Sequence, residues 1–127
     1  MKQFEIFVPN KITAFSEVCD IIASASINIK AIATENRDDT KIIKIVTNDE
    51  KTTEKVLKRS KLRYEVSEIL PVSLIDRPGE LAKLAKMFSK AKISIDSVYI
   101  LGKENGETQI AIKSDNMEQA RKLIKKY

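Results

Sequence analysis

Hydrophobic residues recur at helical spacing in two segments of the chain that lie 66 residues apart. The segment Leu81–Phe88 carries apolar side chains at positions i, i+3, i+4 and i+7, which is the stripe of an amphipathic helix. The segment Phe15–Ile22 repeats this stripe, and the same offset pairs Ile27 with Ile93. Chance rarely keeps a hydrophobic phase through a whole unit, so the pattern predicts an internal duplication.

Each copy has the pattern strand, helix, strand, strand, helix, because alternating segments flank and follow the helical stripe. The first copy then ends with a fourth alternating strand, Leu62–Val66, whereas the second reaches Tyr127 before an equivalent strand. We therefore predict an α+β protein of two ferredoxin-like βαββαβ units in tandem, at residues 1–68 and 69–127. Each unit has an antiparallel sheet with its helices on one face, and the second unit lacks its last strand.

Two local features refine this prediction. The apolar phase slips by one residue in each second strand, which predicts β-bulges near Lys30–Ala31 and Asp96–Ser97. The pairs Asn48-Asp49 and Ser114-Asp115 are typical helix N-caps, and they predict where the second helices begin. Cys19 lies within the first helical stripe, where a buried thiol packs as a small hydrophobic group.

The composition excludes several kinds of chemistry. The chain has one cysteine and no histidine, which removes the usual general base, the commonest metal ligand and any Cys-based zinc site. The net charge is +5, but the basic residues are interleaved with acidic ones throughout the chain. This distribution does not argue for nucleic-acid binding. Neither a signal-peptide pattern nor a membrane-spanning run is present. We expect a cytoplasmic protein without metal or cofactor that binds neither membranes nor nucleic acids.

The loop of the second copy carries the most specific motif in the chain. Its sequence, Asp76-Arg77-Pro78-Gly79-Glu80-Leu81, follows a strand and opens a helix. This segment resembles the signature of ACT domains, in which a strand ends in Asn or Asp and x-Pro-Gly-x-Leu opens the first helix. Through the duplication, the resemblance extends to the whole chain and is greatest to free-standing proteins with two ACT domains. It implies a regulatory protein that binds amino acids or related metabolites, and not an enzyme.

The physical chemistry of this loop is compatible with a binding site. Gly79 leaves open the space where a ligand backbone would approach, and Pro78 suits a first helical turn. The N–H groups of that turn lie at the positive end of the helix dipole and stabilise a carboxylate, while Asp76 could receive an ammonium group. A purely structural interpretation is equally compatible, since Asp76 could simply cap the backbone amides of the helix.

The first copy departs from the motif, because Ile12 and Thr13 stand where the family has Pro-Gly. We therefore expect its site to be weak, altered or structural. In side-by-side pairs of the family, each loop faces the second strand of the neighbouring unit, which adds residues from those strands. The predicted ligand-binding residues are Asp76, Arg77, Gly79, Glu80, Leu81, Ala31, Ile32, Tyr99 and Asn10.

The sequence bears on four classes of function. The leading prediction is an amino-acid-binding regulatory protein that acts through a homodimer or a partner biosynthetic enzyme. The principal alternative is a ligand-free assembly module of ferredoxin-like fold. An RNA-binding domain would need exposed aromatic residues on its central strands, and the third strands contain none. An enzyme would need a catalytic constellation that the sequence does not provide.

Overall fold

The structure, a computed structural model, describes all 127 residues and divides into two compact units. One unit comprises residues 2–67, and the other comprises residues 68–127 together with Met1. We refer to them as unit one and unit two, in chain order. None of the four helices has both the length and the apolar character needed to cross a bilayer.

Unit one is a complete ferredoxin-like unit. Its four strands form one antiparallel sheet in the order β2-β3-β1-β4, which is the order expected for βαββαβ. Its elements are β1 (Lys2–Pro9), α1 (Ala14–Ser24), β2 (Ile29–Arg37), β3 (Thr40–Thr47), α2 (Glu50–Arg59) and β4 (Arg63–Glu68).

Unit two repeats this arrangement with three strands, in the order β5-β7-β6. Its first strand pairs with β7 on one side only, so the position that β4 occupies in unit one has no counterpart here. The elements of unit two are β5 (Leu70–Ile75), α3 (Glu80–Lys90), β6 (Ile95–Glu104), β7 (Glu107–Ser114) and α4 (Met117–Ile124). The predicted fold class is confirmed.

Each unit has its own hydrophobic core between its sheet and its helices. In unit one, buried side chains such as Phe4 and Leu57 bring β1 and α2 together. In unit two, Leu84 and Phe88 of α3 pack against Ile112 of β7. Full burial of a side chain of this size stabilises the fold by about 1.5–3 kcal/mol, so these contacts fix the position of each helix on its sheet.

The duplication extends to individual hydrogen bonds. The N–H of Asn10 donates to the carbonyl of Asp39 at 2.8 Å, and that of Asp76 donates to the carbonyl of Gly106, also at 2.8 Å. Each strand-to-helix loop is therefore held to the turn of the hairpin that follows. Equivalent backbone bonds at equivalent positions are the structural counterpart of the repeated hydrophobic phase.

Both predicted bulges are present, since the strand register shifts between Ile29 and Ala31 and again between Ile95 and Ser97. The predicted cap of α2 is also present, with Asp49 accepting from the N–H of Thr52 at 3.1 Å. The cap of α4 was predicted wrongly by one residue. Asn116 caps that helix, because the Asp115 side chain instead accepts from the N–H of Ser94 at 2.9 Å, at the start of β6.

The predicted core stripes are correct only in part. Val18 and Ile22 are buried as expected, but Phe15 and its repeat partner Leu81 are exposed, and Cys19 is only half-buried. Burial and the neighbouring Asp20 carboxylate raise the pKa of the Cys19 thiol above its usual value. The buried stripes begin one residue earlier than predicted, at Ala14 and Glu80, and the exposed pair lies about 100° further round each helix, at the edge of the packed face.

Candidate functional site

An open groove of about 190 Å³ lies beside the strand-to-helix loop of unit two. The end of β5, the first turn of α3 and the middle of β6 supply most of its wall. All of its lining residues belong to unit two: Leu74, Ile75, Asp76, Arg77, Glu80, Leu81, Val98, Ile100, Lys103, Thr108 and Ile110.

The loop beside the groove depends on a left-handed residue. Gly79 has φ of 91° and ψ of −12° and forms the N-cap of α3. Pro78 therefore precedes the cap. The prediction that it lies in the first helical turn is wrong. A Cβ atom at Gly79 would meet nothing within 4 Å, so the glycine is required by its backbone conformation and not by crowding inside the unit.

No side chain caps the first turn of α3. The structural interpretation of Asp76 as the capping residue is therefore wrong. The carboxylate of Asp76 instead accepts from the ammonium group of Lys103 on β6, with a distance of 3.3 Å between Nζ and Oδ1. The first N–H groups of a helix have no intrahelical partners, so the start of α3 offers donors for an anion that no side chain of the protein supplies.

The carboxylate of Glu80 is held by contacts within unit two. Its side chain is only 10% exposed, and both carboxylate oxygens have partners. Arg77 Nε donates to Oε1 at 2.7 Å, and the Tyr127 hydroxyl donates to Oε2 at 2.8 Å. These contacts orient Arg77 at the edge of the groove.

These two hydrogen bonds hold the pKa of Glu80 below its ordinary value. The bond from Tyr127 has the larger effect, followed by the bond from Arg77. Burial, followed by the adjacent Glu80 carboxylate, raises the pKa of the Tyr127 hydroxyl. Lys83 Nζ lies 5.9 Å from the centre of the Tyr127 ring. Glu80 is therefore ionised and fully occupied near neutral pH, which makes it a positioning group for Arg77.

The remainder of the groove is apolar. Leu81, Val98 and Ile100 are 49%, 41% and 64% exposed, although each is a large hydrophobic side chain, while Leu74 and Ile110 are buried beneath them. Large apolar side chains clustered in a concave surface are typical of binding sites. The groove thus combines an apolar wall with a charged end formed by Asp76, Arg77 and Lys103.

The corresponding loop of unit one has different chemistry. Asn10 is exposed, and its side-chain amide donates to the carbonyl of Asp38 at 3.4 Å. Ile12 is 102% exposed, and the buried Ala14 occupies the position equivalent to Glu80. Lys11, equivalent to Arg77, pairs at 3.4 Å with Glu17, whose side chain is 54% exposed. Unit one therefore has no buried carboxylate at its loop that could fix the orientation of a cation.

The other predicted site residues lie outside the groove. Ala31 and Ile32 are on β2 of unit one, directly after the bulge, where Ile32 is exposed. Tyr99 is on β6 but is buried, whereas its neighbours Val98 and Ile100 line the groove. The structure thus gathers Asp76, Arg77, Glu80 and Leu81 at the groove, with Gly79 in the adjacent turn. The role of all nine residues in ligand binding stays a prediction.

The groove and its supporting contacts include residues that the motif did not predict. Val98 and Ile100 could have been found from the slip of the apolar phase in β6, which turns both towards α3. Lys103 and Tyr127 gave no signal, because their partners are 27 and 47 residues away in sequence. No group of three or more His, Cys, Asp or Glu residues could hold a metal ion.

Two tandem ferredoxin-like units, one with an open groove at its strand-to-helix loop, define the structural class. Over residues 1–127 the sequence matches the family described as an ACT domain pair, so the chain belongs to that family. The resemblance noted from the Asp76–Leu81 motif is confirmed.

Solved structures have the same fold over nearly the whole chain. Protein BT0572 from Bacteroides thetaiotaomicron has a TM-score of 0.90 and 26% identity, covering 98% of this chain and 86% of that one. The ligand-free regulatory subunit of aspartate kinase from Thermus thermophilus has a TM-score of 0.70 and 13% identity, covering 98% and 87%. That from Thermus flavus has a TM-score of 0.60 and 16% identity, covering 98% and 88%. No curated protein sequence matches this chain.

Proposed function

We propose that this protein is a non-catalytic regulatory module that binds an amino acid or a related metabolite in the groove of unit two. Binding would alter its association with itself, as a homodimer, or with a biosynthetic enzyme. Membership of the ACT domain pair family supports the regulatory class. Regulatory subunits of aspartate kinase have the same fold, and their role is carried over here as part of the proposal.

The observation that carries the proposal is the arrangement of charges around the start of α3. The helix has no side-chain cap, and its N-cap is a glycine. The carboxylate of an amino acid would be stabilised by Arg77 and by the N–H groups of the first turn that follow Glu80, whose own N–H donates to the carbonyl of Arg77 at 3.5 Å. Its ammonium group would interact with Asp76, in competition with Lys103. A zwitterion needs this combination of anion-binding donors and one nearby carboxylate.

A thermal-shift screen with the twenty amino acids tests the proposal. A ligand present at 100 times its Kd raises the free energy of unfolding by roughly 2.7 kcal/mol, which is readily measured. Calorimetry on Asp76→Ala and Asp76→Asn should then show weakened binding of the best ligand. Glu65→Ala, at an exposed position of β4, serves as the matched control. Unchanged affinity in both Asp76 variants would remove that residue from the site.

The ligand-free assembly module remains the second candidate, and the open edge of β5 favours it. An edge strand such as β5 presents, on its open side, a row of N–H and C=O groups that can pair with another chain. In that case no amino acid would shift the unfolding temperature, and the protein would still form a homodimer. The same screen, combined with sedimentation, therefore separates the two candidates.

A further inference from the structure

The two parts of the unit-two groove differ in what they can bind. At one end lie Asp76, Arg77 and Lys103, and at the other Leu81, Val98 and Ile100 form an exposed apolar wall. A ligand that occupies the whole groove must present charge to the first group and a side chain to the second. The apolar wall therefore determines which side chains are accepted.

Resting on the proposed function, we propose that the groove selects amino acids with an apolar side chain, aliphatic or aromatic, over those with a charged one. The charged groups of the groove already form two neutral pairs, Asp76 with Lys103 and Arg77 with Glu80. The two opposite charges of a zwitterion can exchange with these pairs and leave no net charge. An additional side-chain charge would have no partner there.

Desolvation decides the preference at the apolar end. A charged or amide side chain placed against Leu81, Val98 and Ile100 would lose hydration without gaining a hydrogen bond, which is strongly unfavourable. An apolar side chain would instead remove its own surface and that of the wall from water. Burial of a side chain the size of leucine improves affinity roughly 10- to 100-fold over a ligand without it.

The size of the groove is consistent with a ligand of this kind. It encloses about 190 Å³ and is open to solvent on one side. That space can accept a ligand on the scale of a single amino acid. Because the groove is open to solvent, the far end of a larger side chain can extend beyond Ile100.

The test is titration calorimetry of the full chain with glycine, alanine, valine, leucine, phenylalanine, aspartate and lysine. We expect leucine or phenylalanine to bind roughly 10- to 100-fold more tightly than alanine, and aspartate and lysine to bind no better than alanine. Val98→Thr and Ile100→Thr, at exposed β-strand positions, should weaken binding of leucine and phenylalanine by a larger factor than binding of alanine. The control Val66→Thr, exposed on β4 of unit one, should change neither.

The outcomes separate this inference from the function on which it rests. Preferred binding of aspartate or lysine would overturn the apolar preference and still support an amino-acid-binding module. Unchanged leucine affinity in both Val98→Thr and Ile100→Thr would contradict the placement of the side chain on this wall. Failure of every amino acid in the series to bind would overturn the proposed function, and the inference with it.

Discussion

Gly79 offers a quantitative test of how the groove loop is built. Its φ of 91° lies in the region that side-chain-bearing residues rarely adopt, and no atom lies within 4 Å of the place that a Cβ would occupy. The cost of Gly79→Ala is therefore a backbone cost, of about 1–2 kcal/mol for a left-handed non-glycine residue. Loss of freedom in the unfolded chain offsets roughly 0.4–1 kcal/mol of it. The expected net destabilisation is about 1 kcal/mol.

Urea unfolding followed by circular dichroism measures this difference. With a denaturant dependence of about 1–3 kcal/mol per molar, a loss of about 1 kcal/mol lowers the midpoint by roughly 0.3–1 M. Gly102→Ala is the matched control, because Gly102 has equally open surroundings and no positive φ. Because Gly102 lies in the strand β6, Gly102→Ala should leave the free energy of unfolding unchanged or raise it slightly. Equal effects of the two substitutions would refute the backbone explanation.

The same series separates folding from binding. Asn tolerates left-handed backbone better than other residues, so Gly79→Asn should be the most stable variant at this position. Gly79→Val should be the least stable, since a β-branched residue suits positive φ poorly. If ligand approaches Gly79 closely, both should lose affinity although only Val is strongly destabilised. Wild-type affinity in a folded Gly79→Asn variant would show that the ligand does not use this space.

Three further predictions follow from the contacts described above. Tyr127→Phe should reduce stability most between about pH 5 and 9. The pKa of Glu80 is lowered from its ordinary value of 4.5, so its hydrogen bond with Tyr127 stabilises the fold fully above that pH, and this stabilisation is lost as the pH falls and Glu80 is protonated. That effect should also fade above about pH 10, as the raised pKa of Tyr127 is passed; pH-dependent urea unfolding checks both limits. Titration should give one ligand or fewer per chain, since Ile12 and Thr13 replace the motif in unit one, and two equal sites would contradict this. Sedimentation at micromolar concentration should show a homodimer through the β5 edge; a monomer whose Leu70–Ile75 amides exchange as fast as a loop would exclude it.

Most of the fold could be predicted because helices and strands differ in the spacing of their buried hydrophobic residues along the chain. The repeated stripes located α1 and α3, and the phase slips located two of the three register shifts, whereas the one between Ile100 and Gly102 was not predicted. Where polar side chains choose between nearby backbone groups, the sequence was a weaker guide. Asp115 and Asn116 are both good capping residues, and only the position of the Ser94 N–H decides which of them caps α4. The exposure of Leu81 likewise depends on the rotation of α3 about its axis, which buries Glu80, Leu84 and Phe88 and leaves Leu81 outside the packed face.

The candidate site was predicted less completely, for a physical reason. Its loop is local in sequence, so Asp76 and Gly79 were recognisable from the motif. The partners that determine their chemistry are not local: Lys103 reaches Asp76 from β6, and Tyr127 reaches Glu80 from the residues after α4. A contact between residues so far apart leaves no periodic trace in a single sequence. The charge state of the groove therefore became visible only in three dimensions.

The duplication gives a direct comparison between two loops on the same scaffold. Both are held to the following hairpin by the same backbone hydrogen bond, from Asn10 in one unit and from Asp76 in the other. The scaffold alone therefore does not account for the groove chemistry of unit two. The differences lie in the side chains, where unit one has Ala14 at the position of Glu80 and thus no buried acceptor to orient a cation. If orientation of Arg77 is what distinguishes a binding loop from a structural one, Glu80→Ala should weaken ligand binding by unit two to the level expected for unit one. The backbone of the loop should stay unchanged.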